Sequence, residues 1–331
     1  MERQIMIAAQ FAQYGPPEVI EIKNTVTPTP KDNEVLVQIH ATTVTPVDCS
    51  FRAGAPCIVR LYLGLRRPNK TILGTELAGV VIALGKDVTR FGVGDRIFAA
   101  PADGTGAHAE YICLPEDGAL ASIPSNMSFE QAATICNGGL TALPFLRDHG
   151  KIKRGDKVLI IGASGSIGTI AVQLAKYFGA HVTGVCSTAN VDMVKSLGVD
   201  QVIDYTVDDF TKHGETYDII FDTVAKSSFG HAKRSLTRRG VYLVTAPSFA
   251  TVFRMLWASV FGGKRAVMAA TGLRPAREQV KDMEFLKGLF ETGSFKTIID
   301  RIYPFGHITN AHSYVEKGHK KGNVVIAVKP Q

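Results

Sequence analysis

The fold is decided by the stretch Val158-Leu159-Ile160-Ile161-Gly162-Ala163-Ser164-Gly165-Ser166-Ile167-Gly168. Four apolar residues lead into a turn of small residues, and the run Ala171-Val172-Gln173-Leu174-Ala175-Lys176 follows. The pattern predicts a strand, a tight turn and a helix. Small residues let the backbone approach a pyrophosphate, while the helix N-terminus offers unpaired N–H groups and a positive dipole end. We therefore predict a dinucleotide-binding turn, with another domain before it because the turn lies mid-chain.

The segments after this turn alternate between apolar strands and helical stretches. Strand patterns occupy residues 181–186, 201–203, 217–221 and 241–245, and a helical pattern at 190–196 ends at Gly198. Strands that alternate with helices form a parallel sheet covered on both faces. We therefore predict a doubly wound, Rossmann-type sheet. The alternative is an α/β domain of this kind that no longer binds a nucleotide.

The first 125 residues show a different pattern. Short alternating segments such as 35–40 and 78–84 are separated by Gly and Pro, and a turn within residues 91–98 leads into another strand. This pattern is typical of a β-rich, partly open barrel. The chain end, with a helical pattern at 308–318 and a strand pattern at 323–328, is expected to return to this barrel.

Composition is compatible with two domains and excludes some functions. The chain has 331 residues with 45% hydrophobic content, enough for two separate cores. We place the first domain at residues 1–125, completed by 273–331, and the cofactor-binding domain at 126–272. The formal net charge is +7, but the basic residues form no stripe with interleaved stacking aromatics, so we expect no nucleic-acid partner. An anionic ligand accounts for part of the charge.

The cysteines and the chain start indicate a cytoplasmic protein. The five cysteines include no Cys-x-x-Cys pair, as expected for free thiols in a reducing compartment, most of them buried as small apolar residues. The first ten residues lack the cationic start and apolar core of a secretory signal. No segment is long and charge-free enough to span a bilayer, so we expect no stable membrane insertion.

Several short motifs lie in a fixed order along the chain: Ala78-Gly79-Val80-Val81, Gly94-Asp95-Arg96, His108-Ala109-Glu110-Tyr111, Gly139-Leu140-Thr141-Ala142, the glycine turn and Gly322-Asn323-Val324-Val325. Together they resemble the medium-chain dehydrogenase/reductase superfamily. The match is colinear over essentially the whole chain and is best to the zinc-free, quinone-oxidoreductase-like branch. The resemblance implies a GroES-like β-rich catalytic domain, a Rossmann domain, an active site in the cleft between them, and a homodimer.

The chain departs from zinc-containing members of this superfamily at the metal ligands. Within residues 41–48, Thr45 takes the place of the first cysteine ligand; Gly74-Thr75-Glu76 replaces Gly-His-Glu, and the third ligand falls near Asn137. The lobe that holds a structural zinc has no counterpart between Asp95 and Tyr111. Threonine hydroxyls and an amide cannot replace thiolate and imidazole on Zn²⁺. We expect no metal, although Cys49, Cys136 and His40 offer an irregular alternative site.

Without zinc, the expected acceptor is one that is already electrophilic. A quinone or an α,β-unsaturated carbonyl spreads the charge of the incoming hydride, so neutral hydrogen-bond donors suffice. We predict direct hydride transfer from nicotinamide C4, then protonation from water or a hydroxyl. Two alternatives stay open: a metal-free alcohol or aldehyde oxidoreductase, and a crystallin-like or RNA-binding protein with vestigial catalysis.

The resemblance places Thr45 and Asp48 in the catalytic segment and Thr141 at the domain junction. Thr45 is a candidate donor to the substrate, and its alternative role is a turn hydroxyl that caps local backbone. Asp48 is better suited to orienting a neighbour or capping a helix than to donating a proton, because an aspartate at its ordinary pKa is ionised.

Cofactor choice is decided after the second strand of the sheet. NAD-specific sites place Asp or Glu there, whereas this chain has Cys186-Ser187-Thr188-Ala189-Asn190. The absence of a carboxylate favours NADPH over NADH, and Lys195 and Tyr205 are candidate contacts to the adenosine phosphate. Their alternative roles are an exposed helix position and an aromatic at a strand end. The predicted cofactor-binding residues are Thr141, Ser164, Gly165, Ser166, Ile167, Ser187, Asn190, Lys195, Tyr205, Ala246 and Asn323.

Residues 250–270 form the most apolar stretch and carry the only tryptophan, Trp257. Three roles compete for it: a lid over the substrate, a dimer surface, and a helix lying on a membrane surface. The resemblance favours the lid and the dimer surface.

Overall fold

The computed structural model describes residues 4–245 and 263–329. These residues form two compact units. Unit 1 contains the described residues up to Asn137, Arg274–Gly293 and those from Ile299 onward, and unit 2 contains the described residues of Gly138–Leu273 and Ser294–Ile298. The domain limits inferred from the sequence differ from these unit limits, since they place the first border at residue 125 and assign residues 294–298 to the first domain. The apolar stretch at 250–270 lies largely outside the described residues.

The helices and strands of the described residues are as follows. The α-helices are α1 (Pro46–Ala53), α2 (Ile58–Leu63), α3 (Phe129–Ala132), α4 (Ile135–Pro144), α5 (Ser166–Tyr177), α6 (Val191–Lys195), α7 (Phe229–Ala232), α8 (Ala276–Glu291) and α9 (Ile308–Glu316). The strands are β1 (Ile5–Gln10), β2 (Glu21–Val26), β3 (Glu34–Val44), β4 (Leu77–Leu84), β5 (Arg96–Ala100), β6 (Tyr111–Pro115), β7 (Ala119–Ser122), β8 (Lys157–Ile161), β9 (His181–Cys186), β10 (Gln201–Asp204), β11 (Tyr217–Asp222), β12 (Leu236–Val244), β13 (Arg265–Met268), β14 (Ile299–Pro304) and β15 (Asn323–Ala327).

Unit 2 is built around a six-stranded sheet in the order β10-β9-β8-β11-β12-β13. Every neighbouring pair in this sheet is parallel. The chain runs outward from β8 to β10 and then returns to the other side of β8 for β11. In doubly wound sheets this reversal leaves a crevice beyond the carboxyl ends of the central strands, where ligands bind. The predicted doubly wound sheet is confirmed.

The centre of this sheet follows from its apolar sequence. Val158, Leu159 and Ile160 of β8 are fully buried. The turn after β8 needs glycine at two positions: Gly162 has a left-handed φ of +78°, and a Cβ at Gly168 would lie 2.0 Å from the carbonyl oxygen of Gly162. Without a side chain at Gly168, α5 packs closely against the turn, so the first turn of the helix is held at the end of β8.

Unit 1 contains a two-stranded sheet, β1 with β2, and a seven-stranded sheet ordered β14-β15-β3-β4-β5-β7, in which β6 also pairs with β3. Strand β3 has three partners: β6 over residues 34–38, β4 over residues 35–42 and β15 over residues 41–44. Register shifts in its pairing with β4 bend the strand. The predicted β-rich domain is confirmed, and the chain end returns to it through β14, α9 and β15.

One strand is longer than its sequence pattern indicates. We predict a strand at 241–245, whereas β12 begins at Leu236 and pairs there with Tyr217 of β11. Leu236 is buried, but the exposed Arg238 and Arg239 interrupt the apolar pattern. Among the described residues, no helix is long and apolar enough to cross a membrane.

Candidate cofactor site and active site

The glycine turn and the first turn of α5 form a site suited to an anion. Gly165 is the N-cap residue of the 12-residue helix α5 and forms no side-chain cap. A Cβ at Gly165 would meet nothing closer than Gly162 O at 3.5 Å, so packing within unit 2 does not require glycine there. The space beside Gly165 is therefore available to a ligand at the positive end of the helix dipole. The predicted residues Ser164, Ser166 and Ile167 lie on the same turn.

Three predicted residues meet beside this turn. The side-chain amide of Asn190 donates to Ser164 Oγ at 3.1 Å and to Ser187 Oγ at 3.2 Å. Asn190 is 8% exposed, and its Oδ1 has no hydrogen-bond partner among the described residues. A buried acceptor without a donor is costly, so this atom suits a ligand hydroxyl such as that of a ribose. The residues fit a dinucleotide.

Sequence reasoning missed a carboxylate next to this cluster. Asp204, the last residue of β10, accepts hydrogen bonds from Thr206 N at 3.0 Å and Thr206 Oγ1 at 2.7 Å. The hydroxyl of Thr188, which follows Ser187, lies 2.9 Å from Thr206 Oγ1. Hydrogen bonds from Thr188, then Thr206, lower the pKa of Asp204, so it is ionised near neutral pH. The cluster therefore has a negative charge nearby, supplied by β10 rather than β9.

The other predicted cofactor residues are more dispersed. Lys195 and Tyr205 are both exposed, at the end of α6 and directly after β10. Thr141 lies half-buried in α4, in the part of that helix that belongs to unit 2, whereas Asn323 is buried at the start of β15 in unit 1. Ala246 lies outside the described residues.

In unit 1, the predicted catalytic pair caps a helix. Thr45 is the N-cap of α1; its hydroxyl donates to Asp48 Oδ2 at 2.6 Å and accepts from Asp48 N at 3.2 Å. Asp48 Oδ2 also accepts from Thr45 N at 2.8 Å, and its Oδ1 accepts from Gly74 N at 3.2 Å. Both side chains are buried. Because the hydroxyl has one hydrogen, Thr45 can donate to a substrate only by releasing Asp48.

A second buried carboxyl connects the segments that replace the metal ligands. Glu76 is fully buried; its Oε1 accepts from Thr43 Oγ1 and its Oε2 from Asn137 N, each at 2.6 Å. Burial raises the pKa of Glu76 to about 7. Sequence reasoning noted Glu76 only as part of a motif. The signal that could have identified it is a carboxylate next to the apolar strand 77–84, where a charge is buried.

No metal cluster is formed at these positions. Within residues 4–245 and 263–329, no group of three or more His, Cys, Asp or Glu side chains is arranged to hold a metal ion. Cys49 contacts His312 Nδ1 at 3.6 Å, and His40 stacks on Phe129. Burial raises the pKa of Cys49 to about 12 and that of Cys136 well above its usual value, so both are neutral thiols.

Known proteins resemble this chain over nearly its whole length. Residues 31–125 match the alcohol dehydrogenase GroES-like domain, and residues 197–326 match the zinc-binding dehydrogenase family. A chloroplastic quinone-oxidoreductase homolog from Spinacia oleracea is 30% identical over 98% of this chain and 99% of its own length. The chloroplastic NADPH-dependent alkenal/one oxidoreductase from Arabidopsis thaliana is 28% identical over 97% of this chain and 79% of its own length. The structure of the quinone oxidoreductase from Coxiella burnetii has a TM-score of 0.89 at 30% identity, covering 98% of this chain and 100% of that one.

The Rossmann sheet with its glycine turn and the GroES-like unit define an oxidoreductase that uses a nicotinamide cofactor. The chain belongs to the medium-chain dehydrogenase/reductase superfamily and is quinone-oxidoreductase-like.

Proposed function

We propose that the protein transfers hydride from NADPH, in preference to NADH, to a quinone or an α,β-unsaturated carbonyl without zinc. The observation that carries the cofactor in this proposal is the cluster of Ser164, Ser187 and Asn190 beside the glycine turn, with Asn190 Oδ1 left without a donor among the described residues. The similarity to quinone and alkenal/one oxidoreductases supports the same reaction.

The residues of unit 2 bind and orient the cofactor in this proposal. When bound, NADPH supplies the hydride from C4 of its nicotinamide ring. The N-terminus of α5 stabilises the pyrophosphate, and Asn190 Oδ1 accepts from a ribose hydroxyl. The Ser187 hydroxyl, which accepts from Asn190 and keeps its own hydrogen, and the charge of Lys195 favour a 2′-phosphate. The nearby carboxylate of Asp204 accepts from Thr206 N and Thr206 Oγ1 through its Oδ1. Thr141, Ile167, Tyr205, Ala246 and Asn323 remain proposed contacts.

The choice of acceptor follows from the residues at the metal-ligand positions. Thr45, Thr75 and Asn137 offer hydroxyls and an amide, which are weak zinc ligands. A carbonyl at this site receives hydrogen bonds instead of a Lewis acid. Hydrogen bonds suffice for an acceptor that delocalises the incoming charge, as a quinone or an enone does. We propose that Thr45 is the catalytic donor and that Asp48 positions it.

The assembly and the location are also proposals. All five cysteines are free thiols, which supports a reducing compartment such as the cytoplasm. We propose a homodimer, and light scattering during size-exclusion chromatography measures its mass directly.

The test is a panel of acceptors assayed by the loss of NADPH absorbance. Purified protein is mixed with NADPH or NADH and with quinones, enones or simple ketones, each with and without a chelator. We expect turnover of quinones or enones, faster with NADPH and unchanged by the chelator. Activity confined to simple ketones and abolished by chelation contradicts the proposal. Turnover of alcohols with NADP⁺ alone supports a metal-free alcohol dehydrogenase, and cofactor binding without any turnover supports a vestigial enzyme.

A further inference from the structure

One surface segment of unit 1 combines positive charge with exposed apolar side chains. Residues 49–75 contain five basic residues and no acidic residue. The basic residues are Arg52, Arg60, Arg66, Arg67 and Lys70. We call residues 57–70, which include α2, the α2 loop.

The α2 loop is anchored from beneath. Leu63 is fully buried, and Tyr14 donates from its hydroxyl to Gly64 O at 2.6 Å. The Tyr62 hydroxyl donates to Asp103 O at 2.9 Å, and Asn69 N donates to Leu63 O at 2.6 Å. The bonds to Tyr14 and Asp103 tie the loop to separate parts of unit 1, while the bond from Asn69 to Leu63 lies within the loop. The backbone that carries the solvent-exposed side chains of the loop is therefore held in place.

Three aliphatic side chains project from this support. Ile58 is 58% exposed, Leu61 72% and Leu65 68%. Ile58 and Leu61 lie three residues apart on α2 and so share a face of the helix, and Leu65 follows two residues after the helix ends. A cluster of this kind marks an interaction site more often than isolated exposed residues do.

The cations of the loop differ in whether they are paired. Lys70 pairs with Asp103, and the half-buried Arg60 donates from its Nε to Gly54 O at 3.0 Å. Arg66 and Arg67 are exposed, and neither has an ion-pair partner among the described residues. The unpaired positive charges that can bind a partner therefore lie directly after Leu65, next to the exposed aliphatic side chains.

We propose that the α2 loop docks the protein onto an anionic lipid bilayer. Ile58, Leu61 and Leu65 enter the boundary between headgroups and acyl chains, while Arg66 and Arg67 bind headgroup phosphates. Aliphatic side chains next to basic ones match this boundary, where apolar burial and attraction to anionic lipids act together. This attachment is peripheral and is independent of the proposed reductase activity.

Two other occupants fit the surface less well. A symmetric contact between two copies of the loop would place Arg66 and Arg67 close to the same residues of the other copy, and like charges repel. Nucleic acid would satisfy the arginines, but single strands are held by aromatic stacking, and the three most exposed apolar side chains are aliphatic. The ring of Tyr62, the exposed aromatic residue of the loop, already lies against Phe51 and Lys70. Lipid satisfies both the charge and the apolar surface.

The experiment is a co-sedimentation assay with vesicles of phosphatidylcholine, with or without phosphatidylserine. Two double variants test the loop: Arg66→Gln with Arg67→Gln, and Leu61→Ser with Leu65→Ser. Matched controls change exposed residues elsewhere: Arg238→Gln with Arg239→Gln, and Val207→Ser with Leu273→Ser. Thermal unfolding checks that each variant is folded.

We expect wild type and both controls to bind vesicles that contain phosphatidylserine and to bind phosphatidylcholine alone far more weakly. Loss of the two arginines is expected to weaken binding about 30-fold, since each basic residue near an anionic surface contributes roughly a factor of five. The Leu61→Ser, Leu65→Ser variant is expected to lose binding as well. Binding that is equal in loop variants and controls, or absent in wild type, overturns the proposal. The proposal is also overturned if a loop variant keeps its vesicle binding and changes only the oligomeric state of the protein or its affinity for single-stranded RNA.

Discussion

The buried carboxylate of Glu76 accepts a hydrogen bond of 2.6 Å from the backbone N–H of Asn137, which lies 61 residues further along the chain. Thr43 Oγ1 donates to the other carboxylate oxygen. These two bonds favour the ionised form, but burial outweighs them and raises the pKa of Glu76 from 4.5 to about 7. The folded state therefore holds this proton at a pH where the unfolded chain has released it.

Glu76 is expected to make stability depend on pH. Between pH 4.5 and pH 7 the folded state binds more protons than the unfolded state, so the contribution of Glu76 falls as pH rises, by about 3 kcal/mol in total. Glu76→Gln removes this dependence. The measurement is the free energy of unfolding in urea at pH 5 and pH 7 for wild type, Glu76→Gln and the exposed control Glu291→Gln. Equal pH dependence in all three proteins refutes the assignment.

Substitution of the two glycines of the turn is expected to have separate effects: Gly168→Ala lowers stability, and Gly165→Ala weakens cofactor binding. Gly168→Ala places its Cβ 2.0 Å from Gly162 O, so we expect a loss of about 3 kcal/mol in the free energy of unfolding. Gly165→Ala meets nothing closer than 3.5 Å and is expected to fold normally, but to bind NADPH about 10-fold or more weakly because the methyl group fills the space for the pyrophosphate. Urea unfolding and a fluorescence titration of NADPH measure the two effects. A Gly165→Ala protein with unchanged affinity would place the cofactor elsewhere.

Asn190→Ala tests the polar cluster beside the turn. The variant loses the bonds to Ser164 and Ser187 and the Oδ1 acceptor, so we expect the Kd for NADPH to rise about 10-fold. The control is Asn310→Ala, an exposed asparagine of α9 in unit 1. Calorimetric titration of both variants decides the point: a similar Kd in each shows that Asn190 has only a structural role.

Thr45 is expected to affect both stability and catalysis. Thr45→Val removes the cap of α1 and leaves Asp48 short of a donor, which costs about 1–2 kcal/mol, whereas Thr45→Ser keeps the hydroxyl and should restore most of the loss. If Thr45 donates to the acceptor, kcat for the enone falls in Thr45→Val and recovers in Thr45→Ser. A stable Thr45→Val protein with wild-type kcat limits Thr45 to capping.

The parts of the structure that local sequence determines were predictable. The strand β8, the turn at Gly162 and the helix α5 are adjacent in the chain, and their apolar and glycine patterns are strong. The meeting of Ser164 with Ser187 and Asn190 followed from the same logic, because parallel strands end at one edge of the sheet.

Contacts between distant segments were not predictable from one sequence. Asp204 lies on the strand next to β9, and only the sheet order brings its carboxylate to the loop of Thr188. The bond from Asn137 to Glu76 depends on two separate parts of unit 1. The exposure of Leu61 and Leu65 beside a buried Leu63 was equally hidden, because all three are leucines in one apolar run.

The most direct test of metal-free hydride transfer uses NADPH with deuterium at both C4 hydrogen positions and follows the label into the product of an enone. The protein is first treated with a chelator, and an enone is used because its β-carbon keeps the transferred atom in a C–H bond. We predict one deuterium on that carbon in each product molecule, at the rate of untreated protein. Loss of turnover that added Zn²⁺ restores, or a product without label, would contradict hydride transfer without a metal.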